Sequence, residues 1–173
     1  ATAEKLQKIL AETLSPHPEI LKNGTSTKCF VESISLLIAE AQLTQAQRAP
    51  GHSLIVLNLV AATNNAAIDP AVRQAAAVHF KNTVKKAWDP EDDLLIAEND
   101  ILTIKQHIIQ LMCTVPPQIQ ALLSESISLI ANVDYYEKWL NLLPDLVQQM
   151  DSTDLNVVVG ILKTANSIFK RFR

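Results

Sequence analysis

The fold is decided by the stretch Val72-Arg73-Gln74-Ala75-Ala76-Ala77-Val78-His79-Phe80-Lys81-Asn82-Thr83-Val84-Lys85-Lys86-Ala87-Trp88. Val72, Ala76, Phe80 and Val84 recur at helical spacing near one face, whereas Arg73, Lys81 and Lys85 fall on another. Just upstream, Asp69 is placed to cap this helix and Pro70 to take its first position, where the missing N–H costs nothing. The pattern predicts an amphipathic helix running to about Trp88. Before it, Ser53 is placed to cap a second helix whose Leu54, Leu57, Val60 and Ala61 form an apolar stripe, and Asn64 and Asn65 supply the turn between the two. Two helices and a turn make a hairpin with an apolar face that something else must cover.

The same unit recurs on both sides. Toward the N-terminus, Leu6, Ile9, Leu10, Thr13 and Leu14 form a stripe that stops before Pro16 and Pro18. Ile34, Leu37, Ile38, Ala41 and Ala46 form another, ending at Ala49-Pro50-Gly51. Toward the C-terminus, Asp89-Pro90-Glu91-Asp92-Asp93 reads as an acidic loop. Ile101, Ile104, Ile108, Leu111 and Met112 then mark a helix ending before Pro116-Pro117, and Ile119, Leu122, Leu123, Ile127 and Ile130 mark its partner. A last pair runs from about Tyr136 to Met150, with Pro144 kinking or starting its main helix, and from Asp154 onward. The first helices start near Ala3, Ser53, Asn99 and Tyr136, a spacing that brackets the roughly 40 to 47 residues of HEAT-type hairpins. The expected fold is all-α: an α-α superhelix of about four HEAT-type helical hairpins over residues 1–173, with one layer of helices inside and another outside. Phe169-Lys170-Arg171-Phe172-Arg173 carries neither a polar capping repeat nor a turn signal, so the stack is expected to be truncated there.

Composition agrees. The chain is 48% hydrophobic with only three glycines and 5% aromatics, beside abundant Ala, Leu and Ile, which favours packed helices over strands or disorder. A net charge of -3 and a pI near 5.8 give no general attraction to phosphate backbones, so nucleic acid is not an expected partner. Leu54 to Ala62 and Ile119 to Ile130 are too short or too interrupted to span a bilayer, so no membrane role is expected. Cys29 and Cys113 form no CxxC or His-Cys cluster and read as ordinary thiols rather than a disulfide or a zinc site.

The Val72 to Trp88 stretch, with its arginine, small-residue run, Lys-Asn pair and terminal tryptophan, resembles the second-repeat helix of the importin-β superfamily. Gly160-Ile161-Leu162-Lys163-Thr164-Ala165-Asn166-Ser167-Ile168-Phe169-Lys170-Arg171-Phe172-Arg173 is similar to the fourth-repeat helix of that superfamily's CAS branch, the exporters of importin-α. Ser126-Ile127-Ser128-Leu129-Ile130-Ala131-Asn132-Val133-Asp134 and Trp139-Leu140-Asn141-Leu142-Leu143-Pro144-Asp145-Leu146 resemble the same branch's third and fourth repeats, so the likeness covers nearly the whole chain. The chain departs from that pattern at Leu140, where the family carries proline, at Asn166, where it carries histidine, and at Phe172, where it carries a larger aromatic.

The resemblance implies an N-terminal segment of a nuclear transport receptor, shuttling between nucleus and cytoplasm, that exports importin-α together with Ran in its GTP form. It implies no cofactor. Residues 23–38 exceed what a first repeat of this family needs, and removing them would join Lys22 smoothly to Ala39-Glu40-Ala41; they are a candidate insertion, a gene-model artefact, or an extension of the second helix. Arg73, Lys81, Asn82 and Lys85 are the polar positions that the resemblance offers to Ran. Their competing reading is structural: a solvated face for Lys81 and Lys85, and an inter-repeat hydrogen bond for Arg73 and Asn82. Trp88 and Trp139 read as packing residues, and Gly160 as a close approach to a neighbouring helix. Lys163, Lys170, Arg171 and Arg173 form a basic end suited either to an acidic partner or to the helix C-terminus.

Enzymatic chemistry lacks its parts. His17, His52, His79 and His107 are scattered with no HExxH motif, no nucleophile elbow and no carboxylate at a useful spacing, and Gly24, Gly51 and Gly160 stand alone rather than in a phosphate loop. The chain is read as a binding protein, not an enzyme. The alternatives are another importin-β-family receptor with different cargo, or a HEAT scaffold that does not bind Ran.

Overall fold

The computed structural model describes residues 3–14, 41–43, 45–46, 49–62, 68–89, 96–135 and 137–171. Seven α-helices run through them: α1 (Ala3–Leu14), α2 (His52–Ala61), α3 (Pro70–Ala87), α4 (Glu98–Thr114), α5 (Pro117–Asp134), α6 (Leu142–Gln149) and α7 (Leu155–Arg171). Residues 41–43 and 45–46 are helical as well, and the described residues contain no strand. The 23–38 segment, the Asn64-Asn65 turn, the acidic loop from Pro90 to Asp93 and Cys29 lie outside the described residues.

Local chemistry starts and stops these helices. The Asp69 carboxylate accepts the Ala71 N–H at 2.8 Å and Pro70 follows it, so α3 opens as its sequence requires. Pro117 takes the first position of α5, here behind Pro116 and with no side-chain cap. The Asp154 carboxylate accepts the Asn156 N–H at 2.8 Å at the head of α7. Pro144 sits in the first turn of α6, where it starts the helix rather than kinking it. The entrance to α2 differs from expectation: Ser53 is not its cap but a buried residue of its first turn. The N-cap is Gly51, whose φ of 78° is a left-handed conformation that glycine adopts without strain, and its N–H donates to the Asp100 carboxylate at 2.7 Å.

Two layers result. α3, α5 and α7 lie side by side in one, α2, α4 and α6 in the other, and the successive pairs α2–α3, α4–α5 and α6–α7 form the hairpins. α1 packs on α2 and α3. The core is continuous across the hairpins, with Phe80 from α3, Ile104, Ile108 and Met112 from α4, Leu123, Ile127 and Ile130 from α5, and Ile161 and Ile168 from α7 all nearly inaccessible to solvent. Each such side chain contributes about 1.5–3 kcal/mol of burial, and no hairpin could gather this much alone. α2 is apolar almost all round because α1, α3 and α4 enclose it. The architecture is the expected α-α superhelix of stacked hairpins.

Candidate protein-docking face

The sequence singles out four polar residues of α3, and the fold separates them. Arg73 is buried, and its Nε and Nη2 donate to the Val60 carbonyl at 3.3 and 3.0 Å. Val60 lies in the last turn of α2, where carbonyls have no partner within the helix, so the guanidinium caps the neighbouring helix of its own hairpin. Lys81, Asn82 and Lys85 instead share the outer face of α3, with Asn82 and Lys85 exposed and Val78 beside them. Lys81 forms an ion pair with Glu125 of α5, Nζ to Oε2 at 3.3 Å. The Glu125 side chain is 51% exposed, so water screens this pair and it contributes at most about 1 kcal/mol. Glu125 escaped the sequence reading because nothing local marks it; its partner lies 44 residues away.

Two seams hold the face together. Between α3 and α5, the Trp88 indole N–H donates to the Asp134 carboxylate at 2.7 Å, and the Lys105 ammonium reaches the same oxygen at 2.8 Å. Between α5 and α7 the contacts are neutral. Ser124 and Thr164 hydroxyls meet at 2.7 Å, Ser167 donates to Ser128 at 3.1 Å, and the Gln120 amide donates to the Asn156 carbonyl at 3.2 Å. Gly160 is where the Gln120 side chain crosses: a Cβ there would sit 2.5 Å from the Gln120 amide carbon. The close approach expected of Gly160 is therefore to a side chain of the neighbouring helix.

Residues 39–114 match the importin-beta N-terminal domain family, a segment that contains all of α2, α3 and α4. Across the whole chain, human exportin-2 is 33% identical over 175 residues. The importin alpha re-exporter of Saccharomyces cerevisiae (strain ATCC 204508 / S288c) is 35% identical over 153 residues, or 86% of this chain. Among solved structures, the exportin Cse1 in its cargo-free, cytoplasmic state superposes with a TM-score of 0.78 over 99% of this chain at 31% identity. The chain belongs to the importin-β superfamily, on its CAS-type exportin branch. It spans 16% of the length of each of those three relatives.

In this importin-β superfamily chain the described histidines stand apart from the α3 ridge. His52 and His79 meet Nε2 to Nε2 at 3.0 Å with ring centroids 5.3 Å apart, joining α2 to α3. The centroid separation is about what two rings placed head to head require, which is the geometry of an N–H···N bond with one ring donating. Burial holds His52 below its ordinary value; burial first, then the charges of His52 and Lys86, push His79 down to about 4. His107 is exposed. Among the described residues no group of three or more His, Cys, Asp or Glu stands together to hold a metal ion, and no helix is long and apolar enough to cross a membrane. Trp88 and Trp139 are buried. Lys163 and Lys170 of the basic end are exposed on α7, while Arg173 lies outside the described residues.

Proposed function

We propose that this chain supplies part of the Ran-GTP-binding surface of a nuclear export receptor whose cargo is importin-α and which shuttles between nucleus and cytoplasm. The observation that carries the reading is the Lys81-Asn82-Lys85 ridge, displayed on α3 inside the segment matched by the importin-beta N-terminal domain family. Two ammonium groups and a carboxamide on one helix face favour an acidic protein surface, steering its approach and offering hydrogen-bond donors on arrival. Arg73 serves the ridge indirectly, by fastening α2 to α3. The names of the relatives, exportin-2 and importin alpha re-exporter, support importin-α as the cargo. The work is binding rather than catalysis, and it calls for no cofactor. If Ran-GTP and cargo favour the same curvature of the stack, each strengthens the other's binding by the same factor.

A pull-down tests the reading. A receptor that extends this segment is expected to retain Ran loaded with GTP and to lose Ran loaded with GDP, and Lys85→Glu is expected to weaken retention roughly tenfold, the loss of one contact worth about 1.4 kcal/mol. Equal retention of both nucleotide forms would overturn it in favour of an importin-β-family receptor working differently, or of a HEAT scaffold that does not bind Ran. The Lys81 ion pair with Glu125 is the observation on the side of that second reading, because it gives one ridge residue a structural occupation.

A further inference from the structure

Asp134, the last residue of α5, is 4% exposed, yet one of its oxygens serves two donors from different hairpins. Trp88, just past α3, donates its indole N–H at 2.7 Å, and Lys105 of α4 brings its ammonium to 2.8 Å. The Lys105 ammonium also donates to the Lys138 carbonyl at 3.0 Å, in the link that leads to α6. Hairpins two (α2–α3) and three (α4–α5) thus meet at a single buried carboxylate, and Lys105 carries the connection on to the link that leads into hairpin four (α6–α7). Trp88 and Lys105 are 5% and 7% exposed, so little water is present to screen or replace these bonds.

Such a cluster is a poor way to add stability, since desolvating two charges offsets most of their attraction and apolar residues of the same size would hold as well. What it adds is direction. Apolar packing is indifferent to small rotations of one helix on another, whereas charge-assisted hydrogen bonds of this length fix both distance and angle. The restraint falls where packing is thin. A groove of about 320 Å³ opens beside Lys105 between α4 and the start of α6, flanked by Leu102 and Leu140, which remain 54% and 75% exposed. The bond from Lys105 to the Lys138 carbonyl spans that gap. We propose that Asp134 is a positioning residue, setting how hairpins two, three and four are turned against one another and so the shape of the α3, α5 and α7 layer offered to a partner. The partner half of this inference rests on the Ran reading above; the geometric half does not.

The test uses Asp134→Asn together with Lys105→Met. Asparagine keeps a carbonyl for the Trp88 indole, and methionine removes the ammonium that the single Asp134 change would strand. Spin labels at Gln110 in α4 and Gln148 in α6, both exposed, report the angle of the fourth hairpin in a Cys29→Ser, Cys113→Ser background. The double variant is expected to keep its helical circular dichroism and one melting transition, while the label-to-label distance distribution widens. Its affinity for GTP-loaded Ran is expected to drop by roughly 2- to 30-fold, the range over which residues remote from a ligand modulate coupling. A distribution as narrow as the parent's sinks the positioning role. Widening with unchanged Ran affinity detaches Asp134 from the partner face, and widening in a chain whose parent retains no GTP-loaded Ran removes the Ran reading but leaves the geometry standing. Should the double variant lose its helical signal, Lys105→Gln, which is uncharged and one bond shorter and so gives up the charge-assisted bonds while leaving a polar side chain in place, carries the same comparison.

Discussion

The seam between α3 and α5 and the seam between α5 and α7 join equivalent helices of successive hairpins, yet they are built from different chemistry. The first ends in a buried carboxylate bound to an indole and an ammonium, with an exposed ion pair further along. The second is laced by Ser124, Ser128, Thr164 and Ser167 hydroxyls and the Gln120 amide. The single proton of Thr164 has three acceptors in reach: the Ser124 hydroxyl at 2.7 Å, the Gly160 carbonyl at 2.8 Å and the Met112 sulfur at 3.2 Å. A hydroxyl that can change partners keeps its hydrogen bond while the helices shift slightly; a shared carboxylate cannot. A stack of repeats can therefore be stiff at one joint and compliant at the next although the apolar core runs through both.

The largest effect expected from this contrast is at Lys105. Lys105→Met leaves the Asp134 carboxylate buried with only the Trp88 indole, and removing one partner of a buried pair costs about 3–5 kcal/mol. The matching change in the other seam, Thr164→Val, deletes one exchangeable neutral bond at about 1 kcal/mol. Urea denaturation measures both. Equal losses would erase the distinction between a clamped and a compliant seam.

A change of pH sharpens the same comparison, because the described hydrogen bonds of the α5–α7 seam join neutral groups, whereas α2 and α3 are joined by His52 and His79. The folded protein holds His79 near 4, and the unfolded chain near 6.5. Between those values the unfolded state binds more protons, so the stabilisation is complete above pH 6.5 and is lost as pH falls toward 4. Lowering the pH from 7 to 5 is expected to remove about 2 kcal/mol through this one group. Hydrogen exchange at the two pH values should find α2 and α3 losing protection ahead of α5 and α7. Uniform loss along the chain would mean that the histidine pair does not govern the joint.

Much of this architecture was legible because its signals are local. Asp69-Pro70, Pro116-Pro117 and the apolar stripes each report on a single helix, and α1, α3, α4, α5 and α7 begin and end close to where those signals predict, whereas α6 begins at Leu142 rather than near Tyr136. What else the sequence missed or left open shares one cause, a partner far away in sequence. Ser53 looked like a cap because Asp100, which satisfies the Gly51 N–H, lies 49 residues downstream. Arg73, open in the sequence to either a partner contact or a structural hydrogen bond, could not be assigned from its stripe alone, because its acceptor is a carbonyl of the preceding helix. The ridge of Lys81, Asn82 and Lys85 was readable as a set, while Glu125 and Asp134, which tie α3 to α5, carry no local signature at all.

Gly160 offers the finest test of the compliant seam, because two effects of similar size oppose one another there. Alanine is better than glycine in a helix interior by roughly 1 kcal/mol, so Gly160→Ala on an open face would stabilise α7. Here the new Cβ would fall 2.5 Å from the Gln120 amide carbon, and that side chain must swing away, giving up its bonds to the Asn156 and Met112 carbonyls. Two neutral hydrogen bonds are together worth about 2 kcal/mol, so the net expectation is a loss of about 1 kcal/mol. In a Gln120→Ala background the obstruction and the bonds are both absent, and the same Gly160→Ala change should become stabilising. A double-mutant cycle from urea melts reads the reversal directly. If Gly160→Ala has the same sign in both backgrounds, Gln120 is not what occupies the space at Gly160, and the neutral seam owes its spacing to apolar contacts instead.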